Sequence, residues 1–150
     1  MIVIGSDHGG FELKSAVKKF LASRGLSCLD VGTDNGDSVD YPDFAEQVAR
    51  QVSTGASEKG ILICGTGIGM SIVANKFPGV RAALATDPQM ARLAKEHNNA
   101  NILVLGGRIL NEDVAVDMVQ AWLETAFEAG RHQRRLDKIS ALERELCSKG

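Results

Sequence analysis

The stretch GILICGTGIGMS, residues 60–71, runs from consecutive apolar positions through Cys64 into three alternating glycines. Apolar residues on successive rather than alternate positions mark a strand covered on both faces, as in a parallel sheet with helices on each side. The glycines behind it read as a tight turn into a helix. A buried strand has no need of a thiol at its mouth, and neither does a phosphate loop. Cys64 therefore has three readings: a nucleophile, a catalytic base, or a small core residue beside an ordinary turn. The stretch alone leaves all three open.

Working outward, the same pattern recurs. IVIG (2–5), LSCLDVG (26–32), VRAALA (80–85) and NILVLG (101–106) read as further short strands. Amphipathic segments lie between them. Leu13, Val17, Phe20 and Leu21 share one helical face that Gly25 is placed to end. DYPDFAEQVARQV (40–52) carries Pro42 in its first turn and a stripe of Phe44, Val48 and Val52. Asp87 and Pro88 open a helix through His97, and Asn111 opens another over 111–127. The order βαβαβαβαβα predicts a three-layer α/β domain with a five-stranded parallel sheet, because each right-handed crossover lays its helix on a sheet face. A last helix, about 132–146, has a stripe of Leu136, Ile139, Leu142 and Leu146 and no strand after it. It is expected to be an arm packed on a partner subunit, within a single domain spanning 1–150.

Composition narrows the function classes. The 150 residues suit one domain with a sizeable core. A formal net charge of −2 argues against a general nucleic-acid surface. No apolar run approaches the roughly 20 residues of a membrane span. The opening MIVIGS has no basic leader, and three cysteines, Cys28, Cys64 and Cys147, lack metal or redox spacing. Both features point to a reducing cytoplasm. For Cys28 and Cys147 the expected role is that of small hydrophobes.

Parallel α/β domains bind ligands outside the carboxyl ends of their strands. That rim collects SDHGG (6–10), CGTGIG (64–69), TD (86–87) and GGR (106–108). Neither glycine loop matches a nucleotide fingerprint, since G-x-G-x-x-G spacing is absent or loose and no G-K-[ST] follows. The amides of Gly65, Gly67, Ile68 and Gly69 are candidates to receive an anion or a developing oxyanion. A helix N-terminus can also lower a thiol pKa from about 8.5. His97 and Asn98 end a helix just before the fifth strand, so topology puts them on the opposite rim. A catalytic His97 would then serve a neighbouring subunit's site. His8, His97 and His132 show no H-E-x-x-H spacing, and no cysteine pair completes a tetrahedral set, so the expectation is chemistry without a metal. Arg131 and Arg135, one turn apart, oppose the dipole of their own helix, a cost that holding a phosphate would offset. Arg108 could supply a third cation.

Taken together, SDHGGFELK (6–14), DYPD (40–43), GILICGTGIGMSIVANKFPGVRAAL (60–84), EHNNANILVLGGR (96–108) and GRHQRR (130–135) resemble the type B ribose-5-phosphate isomerase family, which includes the galactose-6-phosphate isomerase subunits. The resemblance implies a Rossmann-like fold, a homodimer with sites at the subunit interface, and pairing into tetramers in some members. It implies aldose–ketose isomerisation of a sugar phosphate with no metal or organic cofactor. In this resemblance Cys64 is the base acting at C2, because the place where another branch carries a glutamate is Met70. His97 opens the sugar ring, Thr66 helps to move protons, and Asp7, His8 and Asn98 bind the sugar. His8, Arg108, Arg131 and Arg135 hold the phosphate. The expected substrates are ribose 5-phosphate and ribulose 5-phosphate, with a six-carbon aldose 6-phosphate as alternative. A cysteine-nucleophile phosphatase lacks its C-x₅-R loop here, since Met70 stands six places after Cys64. A nucleotide-binding module lacks its fingerprints.

Overall fold

Along β3 (Lys59–Cys64), Ile61 and Ile63 face one side of the sheet while Leu62 and Cys64 face the other. The computed structural model, which describes residues 1–148, repeats this division in the neighbouring strands. In β1 (Ile2–Ser6), Ile2 and Ile4 join the first core and Val3 the second. In β5 (Ile102–Gly106), Leu103 and Leu105 join the first, and Ile102 and Val104 the second. A side-chain period of two fed into two cores produces the unbroken apolar runs of the sequence.

The first core is closed by α1 (Phe11–Ser23) and α5 (Glu112–Glu124), with Leu13, Val17, Leu21, Met118 and Trp122 buried. The second lies under α2 (Tyr41–Ser53) and α3 (Ile68–Ala74), through Val48, Val52, Met70 and Ala74. β2 (Cys28–Asp30), β4 (Ala82–Leu84), α4 (Pro88–Asn98) and α6 (Arg131–Ser148) complete the chain. All strand pairs are parallel, and their order is β2-β1-β3-β5-β4. The expected α/β architecture and its five parallel strands are therefore present.

Several boundaries differ from the sequence reading. β2 begins at Cys28 rather than residue 26, because the Leu26 amide caps α1 by donating to the Leu21 carbonyl. The edge strand β4 keeps only three residues. Its Ala82 amide and carbonyl are bonded by the Asn75 side chain at 2.9 and 3.0 Å, which satisfies an edge that would otherwise stay open. α5 stops at Glu124 instead of residue 127. The expected caps are made: Asp87 Oδ1 accepts from the Met90 amide at 2.8 Å, and Asn111 Oδ1 from the Val114 amide at 2.9 Å. On α6, Leu136 is buried against the domain, while Ile139, Leu142 and Leu146 are 50 to 62 % exposed. Cys28 is half-buried, but Cys147 is exposed and is no core residue. No helix among the described residues is long and apolar enough to cross a membrane.

Candidate active site

The strand order reverses between β1 and β3: from β1 the chain steps outward to β2, and from β3 it proceeds to the other side. Crossovers on opposite faces leave a crevice at the carboxyl ends of these two strands. Asp7 leaves β1 there, with its amide bonded to the Ile63 carbonyl at 3.3 Å. Asp7 is buried, and its Oδ1 accepts from the Gly9 amide at 2.9 Å. His8 follows in a single 3₁₀ turn, and its Nδ1 accepts the Val39 amide at 3.2 Å. In the neutral ring the hydrogen is thereby assigned to Nε2.

Cys64 ends β3 across the crevice, 6 % exposed, with the Gly67 amide donating to its Sγ at 3.2 Å. Gly67 makes this possible by adopting φ +84°, a left-handed conformation that costs other residues strain. The Thr66 Oγ1 accepts the Ile68 amide at 3.2 Å. Two of the amides expected to face a ligand, those of Gly67 and Ile68, are thus already engaged by neighbouring side chains. The Gly69 amide lies in the first helical turn of α3, where no upstream helical carbonyl reaches it.

β5 closes the third side. The Gly107 amide donates to the Cys64 carbonyl at 2.7 Å and the Arg108 amide to the Gly65 carbonyl at 2.9 Å. These bonds set the Arg108 side chain over Gly65, so close that a Cβ there would lie 3.2 Å from its Nη1. This rim therefore gathers a thiol with an N–H aimed at it, a carboxylate, an imidazole and a guanidinium. Such a set can hold a phosphorylated polyol and move a proton.

The comparisons with known proteins agree with that chemistry. The family model described as Ribose/Galactose Isomerase matches residues 2–139. The chain belongs to that family. Ribose-5-phosphate isomerase B of Escherichia coli (strain K12) is 45 % identical over 142 residues, covering 95 % of each chain. A solved structure of the Clostridium thermocellum ribose-5-phosphate isomerase B superposes with a TM-score of 0.94 at 51 % identity, covering 97 % of this chain and 98 % of that one. The Mycoplasma genitalium enzyme, solved with bound ribulose-5-phosphate, gives 0.93 at 43 % identity, covering 96 % of both chains.

In this ribose/galactose isomerase the remaining candidates stand elsewhere. His97 and Asn98 end α4, and Asn101, just beyond, accepts the Gly60 amide at the start of β3. From Gly60 to Cys64 the strand rises about 13 Å. Within one chain, His97 and Cys64 therefore belong to opposite rims. Arg131 and Arg135 begin α6 on the side of His97, both exposed and without an ion pair among the described residues. A cleft of about 370 Å³ between α6 and the β4 edge reaches Arg81, Asn98, Leu136, Ile139 and Glu143, on this same rim.

Two contacts near the site are not legible in the sequence. Tyr41, at the head of α2, lays its ring on Gly69; a Cβ at that glycine would lie 2.3 Å from Tyr41 Cε1. Tyr41 and Gly69 lie 28 residues apart in the sequence, so neither gives a local signal of this contact. His132 is buried and stacks on His97, with centroids 4.2 Å apart and planes 14° from parallel. Beside them the Glu96 carboxyl is held below its ordinary value, first by a hydrogen bond from Glu128 and then, against the cost of desolvation, by Arg92 and His97.

Proposed function

We propose that this chain interconverts ribose 5-phosphate and ribulose 5-phosphate through an enediolate, with Cys64 as the base at C2 and no metal or organic cofactor. The observation that carries the reading is the Gly67 amide directed at Cys64 Sγ at 3.2 Å, in the crevice where Asp7, His8 and Arg108 also converge. An N–H on the sulfur complements a thiolate that forms as proton transfer begins. The open aldose gives its C2 proton to this sulfur. Charge moves to the carbonyl oxygen at C1; the proton of the C2 hydroxyl passes to that oxygen, and return of the proton from Cys64 to C1 then leaves the ketose. The Gly69 amide, free in the first turn of α3, and the Thr66 hydroxyl, which can still donate, serve the enediolate oxygens. The net reaction moves hydrogen within one molecule, so it needs no external oxidant.

His97 carries ring opening in this reading, and Asn98 binds the sugar. Arg131 and Arg135 grip the phosphate together with Arg108 and His8. Binding energy at the phosphate then orients the sugar at Cys64. Because the two groups of residues lie on opposite rims, the working unit is a homodimer with each site shared between copies. The exposed Ile139, Leu142 and Leu146 of α6 supply an apolar face for that contact. A reducing compartment such as the cytoplasm suits Cys28, Cys64 and Cys147, all of which are free thiols.

The test is direct. Chelator-treated protein is incubated with ribose 5-phosphate in deuterated water, and ketose and label are followed by NMR. Ribulose 5-phosphate carrying solvent deuterium at C1 is the expected product. No conversion of the pentose phosphate, with turnover of a six-carbon aldose 6-phosphate, would move the assignment to the other substrate class of the family.

A further inference from the structure

We propose that His97, His132 and Glu128 form a binding site for a divalent ion of the Zn²⁺ class, and that the bound ion blocks turnover. The three residues come from the last turn of α4, the first turn of α6 and the segment between α5 and α6. Their donor atoms all lie within 4.8 Å of one another. Two imidazoles and one carboxylate are a ligand set suited to Zn²⁺, Co²⁺ or Ni²⁺ rather than Mg²⁺ or Ca²⁺.

A second observation points to a ligand. The His132 side chain is only 7 % exposed, and its Nε2 has no hydrogen-bond partner although it is fully enclosed. A buried ring nitrogen without a partner costs stability, and a metal bond would satisfy it. That nitrogen lies 3.4 Å from Glu128 Oε2. Donors around a tetrahedral Zn²⁺ with bonds of about 2.1 Å are themselves about 3.4 Å apart, so this pair already has the required spacing. The third donor must close by at most about 1.4 Å on the same geometry. His97 has room for that shift, because its side chain is 38 % exposed while His132 beneath it is enclosed.

The backbone holds the set in place. The Glu128 amide donates to the Glu96 carbonyl at 3.0 Å, which ties the connecting segment to α4. Ala129 and Gly130, with φ of 57° and 55°, then turn the chain so that His132 enters under His97. Glu96 Oε1 stands 3.6 Å from His97 Nε2, and the partner oxygen is held by Arg92 at 2.6 Å. An ion bound here occupies a nitrogen of His97. The inhibitory part of the proposal rests on the ring-opening role given to His97 above; the binding part does not.

The probe is Co²⁺, added to chelator-stripped full-length chain in equilibrium dialysis and followed by its visible absorption, with Zn²⁺ as competitor. One ion per chain with intense tetrahedral bands is expected, displaced by Zn²⁺. Affinity should fall at least about tenfold in Glu128→Gln and in His132→Phe, the latter keeping a flat ring against His97 but no nitrogen. Cys64→Ala should bind as the wild type does. Zn²⁺ should inhibit the wild type but not Glu128→Gln, whose metal-free activity should match that of the wild type. No bound Co²⁺, or binding untouched by both substitutions, or binding lost with Cys64, would overturn the site. Stoichiometric binding at the three residues without inhibition would overturn the blocking role and count against His97 in ring opening.

Discussion

The Gly67 amide hydrogen points at the Cys64 sulfur across 3.2 Å, within a loop whose turn depends on a left-handed glycine. One residue thus supplies both the turn that ends β3 and the donor that meets the sulfur proposed as the base. Loop conformation and chemistry are coupled there, and separate substitutions can probe each.

Replacing Cys64 by alanine should lower kcat by about 10²- to 10⁴-fold, the usual contribution of a general base, while phosphate binding persists. Cys64→Ser should be nearly as poor, because a hydroxyl does not ionise usefully near neutral pH. Steady-state kinetics with calorimetric binding of an inert sugar phosphate reads both effects. Near-normal kcat in both variants would remove Cys64 from the mechanism.

Gly67→Ala should destabilise the fold by about 1 to 2 kcal/mol from the left-handed backbone alone. Its new Cβ would also lie 2.5 Å from Leu84 Cδ1 and 3.2 Å from the Leu105 carbonyl group. A lower urea midpoint at unchanged slope is expected, together with a fall in kcat as the amide leaves the sulfur. Wild-type kcat in a destabilised variant would show that the N–H does not assist the thiolate.

Mixing Cys64→Ala with His97→Asn subunits tests the shared site. If the two residues meet across an interface, each mixed dimer has one intact site and one doubly damaged site. Activity should return after subunit exchange, toward half the wild-type value per mixed dimer. Exchange confirmed by mass spectrometry without recovery would place both residues in one subunit's site.

Placing a charge on α6, as in Leu142→Asp, should weaken self-association and activity together, because Leu142 is 55 % exposed in the single chain. Sedimentation velocity and turnover should fall over the same concentration range. An unchanged dimer would move the interface away from this stripe.

Acid stability should depend on Asp30. Burial raises its pKa, but hydrogen bonds from Lys18, the Gly32 amide and Lys14 outweigh that and hold it below the ordinary carboxylate value. A depressed folded pKa gives stability that is present above the unfolded value near 3.9 and is lost as pH falls through the folded value. Asp30→Asn should therefore flatten the stability profile below about pH 4. At neutral pH it should cost on the order of 2 kcal/mol, since Lys14 is 2 % exposed and loses its counter-ion. The figure sits below the range for fully buried pairs because Asp30 remains partly solvated. A parallel downward shift at all pH values would mean that the carboxylate contributes only as a hydrogen-bond acceptor.

By itself the sequence determined the features that are local in the chain. Consecutive apolar runs between amphipathic segments specify strands covered on both faces, and the parallel α/β sheet follows from their order. Asp87, Asn111 and Gly25 mark helix ends because capping needs only neighbouring residues. The alternation of strand and helix even separated His97 from Cys64 by rim. Tertiary structure alone decided what depends on contacts between distant segments. Strand order put β5 between β3 and β4, and so brought Arg108 onto Gly65. The chain reversal at Ala129 and Gly130 stacked His132 on His97. Packing of α2 on α3 laid Tyr41 over Gly69. Periodicity records which face of an element is apolar, but not which remote face covers it; that choice is made by the joint burial of all of them.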